Sequence, residues 1–270
     1  MVTYSRVQPD APPAFGCNVA ILDSRKLHAE EFAPYLSENE RMTYMRLSTQ
    51  SRRNKWLAGR LAAKYLFLRS IERPQRSSQP TLSRLSSESL HIFSPWLYRQ
   101  IEVVVETGGK PAFWWCGKAR VESISLSHSN GISCACLGTR VSAAVDIETA
   151  VPRVDAFYRQ NFTPTERSWA AAGIRSDWLF TLLWSLKEAA LKLSWPTQAA
   201  GVWDLPKIEI ARLPELDQIE KFWSSKTMTY DFMVFNSNVK ENYRSLPVRV
   251  AVNGTDNFVL AVISDNECSV

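Results

Sequence analysis

Asn130-Gly131 stands between two short runs, Ser123–Ser129 and Ile132–Leu137, the first of which alternates polar and apolar residues. Asn-Gly supplies the two positive-φ residues of a tight hairpin, and period-two alternation marks a half-buried strand. The segment therefore predicts two antiparallel strands. A turn at Gly138-Thr139-Arg140 and a further run, Val141 to Glu148, extend it to a three-stranded antiparallel meander. Cys134 and Cys136 alternate on the return strand, as small buried hydrophobes do.

The remaining elements follow from period and punctuation. Cys17 to Leu22 reads as a strand. Ser37-Glu38-Asn39-Glu40 is a capping box, Ser at N-cap and Glu at N3, opening a short helix through about Met45. Gln50 to Ile71 is a long helical pattern ended by Pro74. Residues 74–90, rich in Ser, Pro and Arg, read as an exposed loop or insertion. Ile101–Val105 and Ala112–Trp115 are extended, with a turn over 107–111. Thr163-Pro164-Thr165-Glu166 is a second capping box with Pro at N1, its helix stopping at Gly173. A helix from about Ser176 to Ser194 ends before Pro196. Strands follow at Met228–Phe235, Val248–Val252 and Phe258–Ile263, the last two a hairpin over Gly254. Residues 1–118 and 119–270 thus share an outline, one long helix plus strands, which predicts two subdomains.

At 270 residues and 45% hydrophobic, the chain is long enough for a real core. A net charge of +5 and a pI near 9.0 favour anionic partners. The five cysteines are irregularly spaced with no CxxC, so no zinc ribbon or redox motif is supported, and reduced thiols in a cytoplasmic protein are expected. Neither a signal peptide nor a membrane-spanning run of about 18 apolar residues is apparent.

The chemistry concentrates in few residues. Asp146 and Glu148 are two apart on a strand, so both carboxylates project from one face, within reach of a common hard cation. Glu188 and Lys192 are four apart on the last helix and share a face: a third metal oxygen and a cation for a phosphate beside that metal. Ser127-His128 and Gly109-Lys110-Pro111 precede them. Taken singly, a D-x-E pair is usually two solvent-facing acids, Glu–Lys at this spacing an ordinary surface pair, a strand His a core or surface residue, and GKP a turn.

In chain order the segments run GKP, SHS, A-V-D-I-E, F-T-P-T-E and W-S-L-K-E-A-A-L-K. Over about residues 35–200 this series resembles the Sfp-type phosphopantetheinyl transferases, whose signature blocks look like G-V/I-D-x-E and W-S/T-x-K-E-A-x-x-K. The second block is matched throughout; Ala144 replaces the usual Gly of the first. The resemblance implies an α/β (α+β) fold of two similar subdomains forming an intramolecular pseudo-dimer, each with a long helix on a small, mainly antiparallel sheet and the active site in the cleft between. It implies transfer of 4′-phosphopantetheine from coenzyme A to a Ser of an apo acyl or peptidyl carrier protein, with Mg²⁺, releasing adenosine 3′,5′-bisphosphate. Carried over by motif, Asp146, Glu148 and Glu188 bind Mg²⁺; Lys192 and Lys187 face the diphosphate; Lys110, Ser127 and His128 hold the 3′-phosphate and adenosine. Glu188 and Lys192 are the catalytic pair, and Glu166 a supporting acid. Arg41, Arg46, Arg53 and Arg60 fall in the region where the family has cations contacting coenzyme A. A monomer is implied, serving fatty acid, polyketide or peptide synthesis, with neither nucleic acid nor membrane as partner. Two other readings are a nucleic-acid-binding module and an unrelated metal-dependent nucleotide enzyme. Neither has its motif here: no RNP sequence, helix-turn-helix or zinc finger, and no Walker or Rossmann glycines.

Overall fold

The computed structural model describes residues 17–72, 82–106, 109–139, 141–169, 176–193, 208–210, 227–236, 243–253 and 258–265. Through the first half run β1 (Cys17–Asp23), α1 (Ala29–Phe32), α2 (Glu38–Arg46), α3 (Gln50–Glu72), β2 (Leu82–Leu85), α4 (Ser87–Leu90), α5 (Pro95–Arg99), β3 (Ile101–Val105), β4 (Pro111–Trp115) and β5 (Lys118–Ala119). Then come β6 (Ser123–Ser129), β7 (Ile132–Gly138), β8 (Ser142–Thr149), α6 (Asp155–Asn161), α7 (Pro164–Trp169), α8 (Ser176–Leu193), β9 (Ile208–Ile210), β10 (Thr227–Asn236), β11 (Tyr243–Asn253) and β12 (Phe258–Asp265). The architecture is mixed α/β, as expected. The hairpin forms at Asn130-Gly131, both at positive φ, 43° and 81°. Residues 73–81 and Gly173 lie outside the described residues. The loop expected over 74–90 is not one throughout: β2 pairs parallel to β1, and Ser86 caps α4. β2 alternates poorly, which hid it.

Two sheets carry the molecule, ordered β2-β1-β7-β6 and β8-β12-β11-β10-β9, with a small β3-β4-β5 sheet beside them. The expected meander is therefore corrected: β8 makes no ladder with β7 but opens the second sheet against β12. Gly138 makes the turn possible, since a Cβ there would collide with the Val141 carbonyl oxygen. The sheets also divide elsewhere than at residue 118/119, because β6 and β7 complete the sheet begun by β1.

Strand alternation explains the layering. Cys17, Val19 and Ile21 of β1 and Cys134 and Cys136 of β7 meet Val145, Ile147, Leu260 and Val262 of the second sheet in one apolar core. The opposite faces of β1 and β7 pack Ala20, Leu22, Ala135 and Leu137 against α3. The opposite face of β12 packs against α8. Cys17, Cys134 and Cys136 are buried thiols and Cys116 an exposed one, none of them bridged; Cys268 lies outside the described residues.

Along one edge the sheets meet without a backbone ladder. The Oγ atoms of Ser123, Ser125 and Ser129 on β6 accept from the backbone N–H of Ala143, Val145 and Thr149 on β8, at 3.3, 3.1 and 3.1 Å. The constant offset means that the two strands run parallel, joined by serine hydroxyls.

One buried arrangement occurs twice. Ser37 and Glu40 form the capping box of α2; the Glu40 carboxylate also takes Lys64 Nζ from α3 and the Val103 N–H (3.0 Å), while Lys64 donates to Tyr35 O (3.1 Å). Thr163 and Glu166 repeat the box at α7. Glu166 takes Lys187 Nζ from α8 (2.7 Å) and the Ile210 N–H (3.0 Å), and Lys187 donates to Asn161 O (2.9 Å). Both lysines are 0% exposed. Burial pulls both ammonium groups below the ordinary lysine value, against the carboxylate each one meets.

Candidate active site

On β8, Ala143, Val145 and Ile147 face the inter-sheet core, so Asp146 and Glu148 turn to the other side, toward α8. Asp146 is 3% exposed. Its Oδ1 accepts from Ser127 Oγ and from Lys192 Nζ, both at 2.7 Å, and Lys192 also donates to Val145 O at 3.2 Å. Its Oδ2 is buried without a hydrogen-bond partner among the described residues. Glu148 accepts from Ser129 Oγ at 3.0 Å and lies 3.6 Å from an Arg153 nitrogen. Burial first, then the Asp146 charge, raises the carboxyl pKa of Glu148 and likewise that of Glu188. Three acids thus sense one another. Among the described residues no three His, Cys, Asp or Glu side chains stand as a ready metal-ligand set; the position beside Asp146 is taken by the Lys192 ammonium.

Lys192 also lines a cleft of about 620 Å³, walled by α3, the residues before β4, and β6. Lys110, Ser127 and His128 line it too, so sequence-distant candidates are brought together. His128 is exposed at the cleft, yet the walls remove enough solvent to pull its imidazole below 6.5, helped by the charges of Lys55 and Lys192 and opposed by Asp146.

The four arginines expected here do not share one place. Arg60 lines the cleft, whereas Arg53 donates to Leu47 O at 2.9 Å and to Met45 O at 3.4 Å, closing the end of α2. Arg41 and Arg46 are exposed on α2 and do not line the cleft. Instead Arg52, Lys55 and Trp56 do, with spacings that put them on one helix face with Arg60. The spacing marks a shared face, but not that this face is the one turned to the cleft. The Arg60 guanidinium lies 3.7 Å from the Trp56 ring centre. It is 9% exposed, its Nε is buried with no hydrogen-bond partner among the described residues, and burial lowers its pKa to about 10, still a cation at neutral pH. Two residues stand away from this site: Lys187 and Glu166, expected at the diphosphate and in support, are sealed in their own buried pair because α8 turns Lys187 to the side opposite the cleft. In chemical terms, the cleft presents Arg52, Lys55, Arg60, Lys110 and Lys192 to an anion and ends at a carboxylate cluster.

Residues 142–244 match the family model of the 4′-phosphopantetheinyl transferase superfamily. The match spans β8 and α8, and so Asp146, Glu148, Glu188 and Lys192. Among solved structures, the holo-[acyl-carrier-protein] synthase of Thermotoga maritima is similar at 19% identity and a TM-score of 0.32, over 55% of this chain and 75% of that one. No curated protein matches. Among the described residues, no helix is long and apolar enough to cross a membrane.

Proposed function

We propose that this protein transfers the 4′-phosphopantetheine group of coenzyme A to a serine of an apo acyl or peptidyl carrier protein, with Mg²⁺, releasing adenosine 3′,5′-bisphosphate. The observation that carries the reading is Lys192. It lines the cation-walled cleft and at the same time donates to Asp146 of the acid cluster, so a polyanion in the cleft ends at the carboxylates.

In this reading Arg60, Lys110, Ser127 and His128, joined by Lys55, hold the adenosine and 3′-phosphate end. Lys192 meets the diphosphate and offsets charge that grows on the leaving side. Asp146, Glu148 and Glu188 are the residues that would hold Mg²⁺. The fit is supported by the orphaned Asp146 Oδ2 and by a donor set made only of oxygens, the kind a hard cation takes. When bound, Mg²⁺ offsets the diphosphate charge and orients attack. Glu188, whose burial and acidic neighbours raise its proton affinity, takes the proton of the carrier serine. The serine oxygen bonds to the phosphorus nearer the pantetheine, the bridging P–O bond breaks, and the bisphosphate leaves.

The two halves are taken as an intramolecular pseudo-dimer, a reading supported by the repeated box–glutamate–lysine arrangement. A monomer in the cytoplasm, acting on neither nucleic acid nor membrane, completes the proposal. The test incubates the protein with coenzyme A, Mg²⁺ and a panel of apo carrier proteins. Mass spectrometry should find the phosphopantetheine mass on at least one carrier serine; a panel left unmodified overturns the reading.

A further inference from the structure

Gly59 lies well inside α3, where glycine weakens a helix relative to alanine. Two ordinary reasons for such a glycine are absent. Its φ is not positive, unlike those of Gly109, Gly117 and Gly131. Among the described residues no neighbour crowds it either, since a Cβ built there meets none of their atoms within 4 Å. The space is nevertheless not bulk solvent: Gly59 is buried and opens into the cleft, on the face that carries Lys55, Trp56 and Arg60. A cation, an aromatic ring and a guanidinium whose buried Nε has no partner among the described residues therefore line the same cleft as a gap that no described side chain fills.

We infer that Gly59 is a specificity-determining residue, its missing side chain leaving room for the nucleotide end of coenzyme A to lie against the α3 backbone. The inference rests on the coenzyme A reading and adds to it where on the helix the nucleotide sits. The aromatic and basic neighbours favour the adenosine 3′,5′-bisphosphate portion, since Trp and Arg planes stack on bases and cations meet phosphates. The pantetheine arm has no such groups.

The test uses G59A and G59L in the full chain, with thermal melting and calorimetric titration of coenzyme A and of adenosine 3′,5′-bisphosphate. Alanine and leucine are both good helix formers and find open space, so each variant should melt about 2–3 °C above the wild type. Affinity should move the other way with side-chain size, G59L binding both ligands about 10–100-fold more weakly. Opposite signs in stability and binding are what a merely structural glycine does not produce. Wild-type affinity in G59L overturns the inference, as does a fall in melting temperature in both variants. A loss for coenzyme A without a loss for the bisphosphate overturns the placement of the nucleotide end. A wild-type protein that binds neither ligand overturns the coenzyme A reading instead, a separate result.

Discussion

At the residue scale Lys192 is the hinge of the site, and its removal has a stated size. Lys192→Ala should lower kcat by about 10²–10³, the usual scale for losing one preorganised charge stabiliser. A variant with wild-type kcat would remove the diphosphate role. His128 offers a pH test. Its folded pKa lies below 6.5, so the native protein takes up a proton less readily than the unfolded chain. The free protein therefore loses stability as pH falls below 6.5, and the loss is complete only below the lowered folded value. An anionic phosphate reverses the preference. Coenzyme A binding near pH 6 should draw in a proton, visible as a heat that depends on buffer ionisation, and His128→Ala should abolish that uptake. Equal uptake in both proteins would sink the contact. The carboxylates, Lys110, Ser127, His128 and Lys192 were legible because short motifs place them on turns, strands and one helix face. Arg52, Lys55 and Trp56 were not, because α3 carries basic residues around much of its circumference and only packing selects the face turned to the cleft. Arg53, one position from Arg52, points instead to the end of α2.

At the element scale the two capping boxes were readable from four residues each, since the box is local chemistry. What each box does beyond its helix was not: the second glutamate oxygen and the lysine that meets it come from segments far along the chain. The reading of Lys187 as a phosphate contact fails for this reason, and it makes a sharp prediction. Lys187→Ala leaves the Glu166 carboxylate buried and unpaired, which costs about 3–5 kcal/mol. Urea unfolding should show the loss directly. A variant with wild-type stability and weakened coenzyme A binding would restore the original assignment. The meander was misread because hairpin signals stop at the hairpin. Val141–Glu148 is apolar enough to continue any sheet, and the alternating serines of β6, which join it edge to edge, look in the sequence like ordinary solvent-facing positions.

For the molecule as a whole, the mixed α/β class and two long helices were legible, whereas the division between the sheets was not, because pairing of β1 with β7 is a long-range event without a local mark. A net charge of +5 and the exposed Arg41 and Arg46 outside the cleft lead to a docking prediction. If an acidic carrier is steered electrostatically, its kcat/KM should fall as salt rises past the point where the Debye length is about 8–10 Å, more than that of coenzyme A held inside the cleft. A carrier kcat/KM flat across the titration removes electrostatic docking, and a native mass twice the 30.7 kDa of one chain removes the monomer. The sheet order also bears on synthesis. β1 is made well before the partner on its antiparallel edge, β7, which ends only at Gly138. A nascent chain emerging from the ribosome must hold the β7-facing edge of β1 open until β7 has been translated, so the first sheet closes late and the growing chain is a natural client for chaperones that shield unpaired strands.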